Sequence, residues 1–118
     1  MDVTIPGVDY ERWMDLHDGD EDRFLISLRY FVDNTPEDLV NLRDLSAETL
    51  GRYAVAARNI KETCKAIEAE EVRETALKLE ILAVSGHLEM VQGENAAFIE
   101  QVDTLLADAK AWLNRKKN

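Results

Sequence analysis

The chain has 118 residues, the length of one ordinary domain, and 46% of them are apolar, enough for a single hydrophobic core. With 14 basic and 24 acidic residues the formal charge is -10, which argues against nucleic acid and anionic membrane as partners and suits a basic face on another protein. One cysteine leaves no disulfide framework and fits a reducing cytoplasm; the sequence also shows no signal peptide and no window near the ~18 apolar residues of a membrane span.

Almost everything reads at helical period, and no alternating strand segment of useful length occurs. The opening, residues 1–8, reads as a loop or the end of a linker, with Pro6-Gly7 as a turn signal. Asp9 caps a short helix through His17, with Trp13 and Leu16 facing inward. "HDGD" breaks it, and Asp20 caps a long helix with Phe24, Leu25, Leu28, Phe31 and Val32 on its apolar face. Thr35-Pro36 is a good helix start, yet Leu39, Leu42 and Leu45 continue the same phase. The segment is therefore one helix from about 20 to 44 kinked near Pro36, or two nearly collinear pieces. Ser46 caps the next helix, to about Ile67. Another spans about Ala69 to Val84 and stops at Ser85-Gly86. A short turn covers Leu88 to Val91. The last helix runs from about Glu94 to Asn114, burying Phe98, Val102, Leu105, Ala109 and Trp112, and its basic end suits a helix C-terminus. Short loops between long amphipathic helices imply an all-α fold of one domain, an antiparallel up-down four-helix bundle with a short N-terminal helix packed across it.

The helix at 47–67 carries the candidate site. Tyr53, Ala56, Ile60, Cys64 and Ile67 fall on its core side, while Arg58, Lys61, Glu62 and Lys65 form a compact charged stripe with the small Ala54 and Ala57 beside it. On composition alone the stripe is a solvated face with a weak Arg58–Glu62 pair.

The order of motifs adds a second reading. "DGDEDRF" leads into a helix, "NTPEDL" continues it, and "LKLEILAVSGHLE" follows downstream. Between them stands Arg58-Asn59-Ile60-Lys61-Glu62-Thr63-Cys64-Lys65-Ala66-Ile67-Glu68-Ala69. Over nearly its whole length the chain resembles the histidine-containing phosphotransfer (HPt) domains of bacterial two-component phosphorelays. The family motif runs roughly His-x-Leu-Lys-Gly/Ser-small-small-x-x-Ile/Leu-Gly-Ala, matched here by Ile60, Lys61, Thr63, Cys64, Ile67 and Ala69. The resemblance implies a cytoplasmic module whose partner is a response-regulator receiver domain or a histidine kinase.

The departures fall at the site. Arg58 stands where the family has its phospho-accepting histidine, and a permanently cationic guanidinium is a poor nucleophile. Glu62 replaces a Gly or Ser that lets the receiver's acidic pocket approach, and Glu68 replaces a frequent glycine. Lys61 remains, and in the family such a lysine helps hold the phosphoryl group. The resemblance therefore implies a non-phosphorylatable HPt-like module, no enzyme, whose docking face comprises Ala54, Ala57, Arg58, Lys61, Glu62 and Lys65. The alternatives are a working phosphotransfer protein with an unrecognised acceptor, and a helical scaffold or dimerisation domain without receiver binding.

Other residues read more plainly. His17 and His87 lie at helix boundaries and read as surface histidines. Cys64 reads as a small buried core residue, inert for that reason. "DGDED" hints at a calcium loop, but Arg23 stands where the sharp-turn glycine belongs, so capping by Asp20 accounts for it. Trp13 and Trp112 read as core edges. No catalytic set, metal site or cofactor is expected.

Overall fold

A computed structural model describes residues 5–117. Among them the chain is all-helical: α1 (Tyr10–Leu16), α2 (Glu21–Arg43), α3 (Leu50–Ala66), α4 (Glu70–Val84) and α5 (Leu88–Lys117), with no strand. The four longer helices close on one another, α2 on α3, α3 on α4, α4 on α5 and α5 on α2. One hydrophobic cluster runs from Ile5 and Trp13 through Phe24, Leu28, Phe31, Ile60, Leu79 and Phe98 to Trp112. The reading of residues 1–4 as loop or linker lies outside the described residues. Pro6-Gly7 does turn: Val8 N–H donates to Ile5 O at 3.0 Å, and Gly7 takes φ 87°.

Helix α1 is fixed by its ends. Asp9 Oδ1 accepts from Arg12 N at 3.0 Å, the expected cap, and His17 ends the helix. Trp13 is buried as expected, but Leu16 is 58% exposed, because seven residues present only a narrow stripe to the bundle. The Trp13 indole donates to Ala66 O at 2.8 Å, Asp9 N–H donates to Glu68 O at 3.0 Å, and the Arg12 guanidinium meets the Glu68 carboxylate at 2.8 Å. Beneath α1, Phe24 receives Tyr10, Trp13 and Trp112 edge-on at centroid distances of 4.9, 5.3 and 5.8 Å. The basic end of α5 reaches the same place: Lys116 Nζ lies 2.7 Å from Glu21 Oε1, and that contact is the first cause holding the Glu21 carboxyl below its ordinary range.

Helix α2 decides the conflict at Pro36 in favour of one helix, Glu21–Arg43, with Pro36 inside it. Leu39 and Leu42 are buried in phase with Phe24, Leu28 and Phe31, so the packed face on both sides outweighs one missing backbone hydrogen bond. The same phase buries Thr35 and Asp38, two polar residues in the core stripe.

The start of α3 comes later than the sequence suggested. Ser46 and Thr49 bond reciprocally, Ser46 N–H to Thr49 Oγ1 at 2.8 Å and Thr49 N–H to Ser46 Oγ at 3.3 Å, and the helix begins at Leu50. Ser46 thus closes a turn in front of the helix. The end of α3 is a Schellman turn. Ala69 N–H donates to Cys64 O at 2.9 Å and Glu68 N–H to Lys65 O at 3.2 Å, with Glu68 in the left-handed region at φ 58°. A side chain there is strained, and glycine is not. Glu68→Gly should therefore raise stability by up to about 1 kcal/mol, since it gives up only an ion pair whose Arg12 side is open to solvent, although Glu68 itself is largely covered. Urea unfolding would check this, and a loss of 1 kcal/mol or more would show the Arg12 contact to be worth more than the strain.

Helix α4 ends as expected. Gly86 takes φ 80°, with its N–H donating to Ala83 O at 3.1 Å and that of His87 to Leu82 O at 2.9 Å. The separate turn expected at Leu88–Val91 is not there: α5 is one helix from Leu88 to Lys117. Gly93 lowers helix propensity by only about 1 kcal/mol, and fully buried Val91 and Asn95 at 8% exposure hold the backbone on either side of it.

Candidate functional site

On α3 the 3.6-residue phase settles what faces out. Ile60, Cys64 and Ile67 are fully buried, as expected. Arg58, Glu62 and Lys65 are exposed, and Lys61 is half-buried. Ala54 and Ala57 are not on this face: at 7% and 0% exposure they lie beneath it, because 54 and 57 share the phase of Ile60 and Cys64. The stripe is therefore charged side chains over a floor of alanines, with Val55 exposed between them.

The charges are not equivalent. Lys61 Nζ lies 2.7 Å from Glu80 Oε1 on α4 and 3.8 Å from Glu62 Oε1. Both Lys61 and Glu80 are mostly covered, so this pair is screened less than a surface one. The Arg58–Glu62 pair expected from their spacing does not form. Among the described residues Arg58 has no ion-pair partner, since Glu62 turns toward Lys61 instead.

Two grooves flank the face. Between α3 and α4, Leu50, Ala54, Val55, Arg58, Glu80, Ala83 and Val84 line one of about 420 Å³. Between α2 and α3, a groove of about 380 Å³ is lined by Tyr30, Asp38, Asn59 and Glu62 among others. Arg58 thus belongs to the first groove and Glu62 to the second, while Val55 borders both.

Asp38 is the unusual acid of the second groove. It is 8% exposed, and Asn59 Nδ2 donates to its Oδ1 at 3.1 Å. Burial raises its pKa above the ordinary range, with the Asn59 hydrogen bond acting the other way. A carboxyl whose pKa is raised by folding costs stability once ionised, so the penalty grows as pH rises from the unfolded to the folded pKa. Asp38→Asn should be more stable than the wild type near neutral pH and lose that advantage below the unperturbed value of about 3.9. Paired thermal melts across this range would show it, and a pH-independent difference would mean packing, not ionisation, is what changed.

The remaining sequence candidates stay apart from this face. The His17 ring stacks on Trp13 at 3.9 Å, with Nδ1 2.8 Å from Trp13 O. His87 is exposed at the α4–α5 junction. Burial pushes the Cys64 thiol up to about 12, which leaves it protonated and inert. Asp20 Oδ1 accepts from Arg23 N at 3.2 Å, so it serves as a helix cap, and no metal-holding cluster occurs among the described residues. Nor is any helix among them long and apolar enough to cross a membrane. Sequence reasoning missed Glu80 as the partner of Lys61; a lone acid amid the apolar residues of "LKLEILAV" was the available signal. Comparison with family models, curated proteins and solved structures finds no match to this chain.

Proposed function

We propose that this chain is an HPt-like interaction module of a bacterial phosphorelay, an antiparallel up-down bundle with α1 laid across one end. It binds a receiver domain or histidine kinase in the cytoplasm, is not itself phosphorylated, and modulates signal flow by occupancy. The observation that carries the reading is the placement of Arg58. It stands exposed midway along α3 over buried Ile60 and Cys64, at the position that the sequence resemblance pairs with the family's acceptor histidine. A guanidinium in that place can bind an anion but cannot take up a phosphoryl group usefully.

The test is incubation with phosphorylated receiver domains bearing labelled phosphate, alongside a binding titration with the same receivers. Measurable binding without acid-labile phosphate on this chain is the expected result. Stoichiometric phosphohistidine at His17 or His87 would overturn it in favour of a working phosphotransfer protein. A scaffold or dimerisation role has its own observation, the exposed Ile26 and Tyr30 one turn apart on α2. Sedimentation equilibrium would detect such a dimer.

A further inference from the structure

We infer that the α2–α3 groove receives an arginine side chain of a basic protein partner, with the guanidinium against Asp38 and the stem along Tyr30 and Val55. The inference does not depend on the receiver reading, and it concerns the groove on the other side of α3 from Arg58.

Asp38 is a carboxyl placed where ionisation lowers stability. It is 8% exposed in the core stripe of α2, and no cation pairs with it among the described residues. Its charged neighbour Glu37 has the same sign. Asn59 Nδ2 occupies one of its oxygens, Oδ1, at 3.1 Å. The other oxygen has no hydrogen-bond partner among the described residues, yet it is not sealed from the groove that Asp38 lines. A covered carboxylate with one oxygen unanswered is compensated best by a cation that can reach it.

The groove does not supply that cation itself. Arg52 is its one basic lining residue, and it turns to Asp44 at 3.4 Å. Lys61, beside Glu62, is committed to Glu80 at 2.7 Å. Glu37, Asp38 and Glu62 therefore leave the groove with an excess of negative charge, in a chain whose formal charge is -10. Both the local and the overall field favour a basic partner.

The form of the groove selects the kind of cation. No three acidic, histidine or cysteine side chains converge on one point among the described residues, so a bare metal ion lacks a ligand set. The acceptors are spread out instead, with Asp38 covered and Glu62 exposed on the rim. A planar guanidinium, with five N–H donors in a fixed fork, reaches spread acceptors better than a compact ammonium does. Tyr30 and Val55, 58% and 55% exposed, offer a ring face for the guanidinium plane and an apolar wall for the stem.

The experiment titrates the 15N-labelled chain with the capped tripeptides acetyl-Gly-Arg-Gly-amide and acetyl-Gly-Lys-Gly-amide in about 0.15 M salt, which screens long-range attraction. Amide NMR shifts follow the binding. For the arginine peptide, saturable shifts centred on residues 34–41 and 55–63 are expected, with an affinity about threefold or more above that of the lysine peptide. Asp38→Asn keeps the shape of the side chain and should weaken arginine binding about tenfold. Glu100→Gln removes the same charge from an exposed site on α5 and should leave the affinity unchanged. Equal affinities for the two peptides would overturn the assignment of arginine. Equal losses in the two variants would show that net charge alone attracts the peptide, and the inference would fall. It would fall equally if no saturable shifts arose in the groove.

Discussion

The double variant Arg58→His, Glu62→Gly should accept phosphate from a phosphorylated receiver orders of magnitude faster than Arg58→His alone. The single change supplies a nucleophile at an exposed position, and surface substitutions of this kind shift stability by only about 0.5 kcal/mol. Glu62 remains one turn along α3, exposed and only partly offset by Lys61, whose Nζ stands 3.8 Å from it but 2.7 Å from Glu80. A like charge pressed within about 4 Å of a receiver's acidic pocket costs on the order of 4 kcal/mol at a half-buried interface, a factor of about a thousand in rate. The glycine itself lowers helix stability by about 1 kcal/mol, and Glu62→Ser provides a gentler control. Lys61 adds a further step. Its ammonium is already committed to Glu80, so Glu80→Gln in the double variant should release it toward the phosphoryl group and raise transfer again. Transfer of labelled phosphate under single-turnover conditions reads all three effects. If Arg58→His already matched the double variant, Glu62 would be an ordinary solvated side chain.

Asn95→Ala should cost about 2–5 kcal/mol and lower the melting temperature by more than ten degrees. Asn95 Oδ1 accepts from the Tyr53 hydroxyl at 2.7 Å, and Asn95 Nδ2 donates to Leu42 O at 2.8 Å. One amide therefore ties the end of α2 and the first turns of α3 to α5. Burial, reinforced by the charge of Glu94, raises the Tyr53 pKa far above its usual range, so its hydroxyl stays a donor. Truncating Asn95 leaves a phenol and a carbonyl without partners where water does not reach, at about 1–3 kcal/mol each. Tyr53→Phe should cost less, about 1–2 kcal/mol, and combining it with Asn95→Ala should add less than the sum. Denaturant unfolding of the three variants completes the cycle. Strict additivity would mean the two side chains act separately.

How far the sequence disclosed these features depends on distance along the chain. The outward stripe of α3 follows from period alone, because Ile60, Cys64 and Ile67 recur on one side. The caps at Asp9, Asp20 and Gly86 are equally local and were legible for that reason. What stayed hidden spans helices. The lone acid of "LKLEILAV" signals that Glu80 needs a partner but not that the partner is Lys61, and the expected Arg58–Glu62 pair gave way to that longer-range contact. Ala54 and Ala57 were misplaced because alanine carries almost no hydrophobic signal, although their phase is that of Ile60. Asn95 had a usable sign: it falls in step with Val91, Phe98 and Val102, and a polar residue in an apolar row needs a partner. The turn expected at Leu88–Val91 erred in the opposite sense, since that segment is the start of α5 and the helix runs on through Gly93 where packing supports it.

The contact between α1 and the end of α3 also sets how the molecule opens. Asp9, Arg12 and Trp13 all reach the backbone or side chain of residues 66–68, and the left-handed Glu68 is both the turn between α3 and α4 and the anchor for α1. Freeing α1 removes three holds from a turn that is already strained, and loosening that turn removes the seat of α1. The two segments should therefore exchange their amide hydrogens as one unit, slower than a frayed terminus and faster than the centres of α2 and α5. The amides of Trp13 and Ala69 would share one opening free energy although 56 positions separate them, and Glu68→Gly would slow both together.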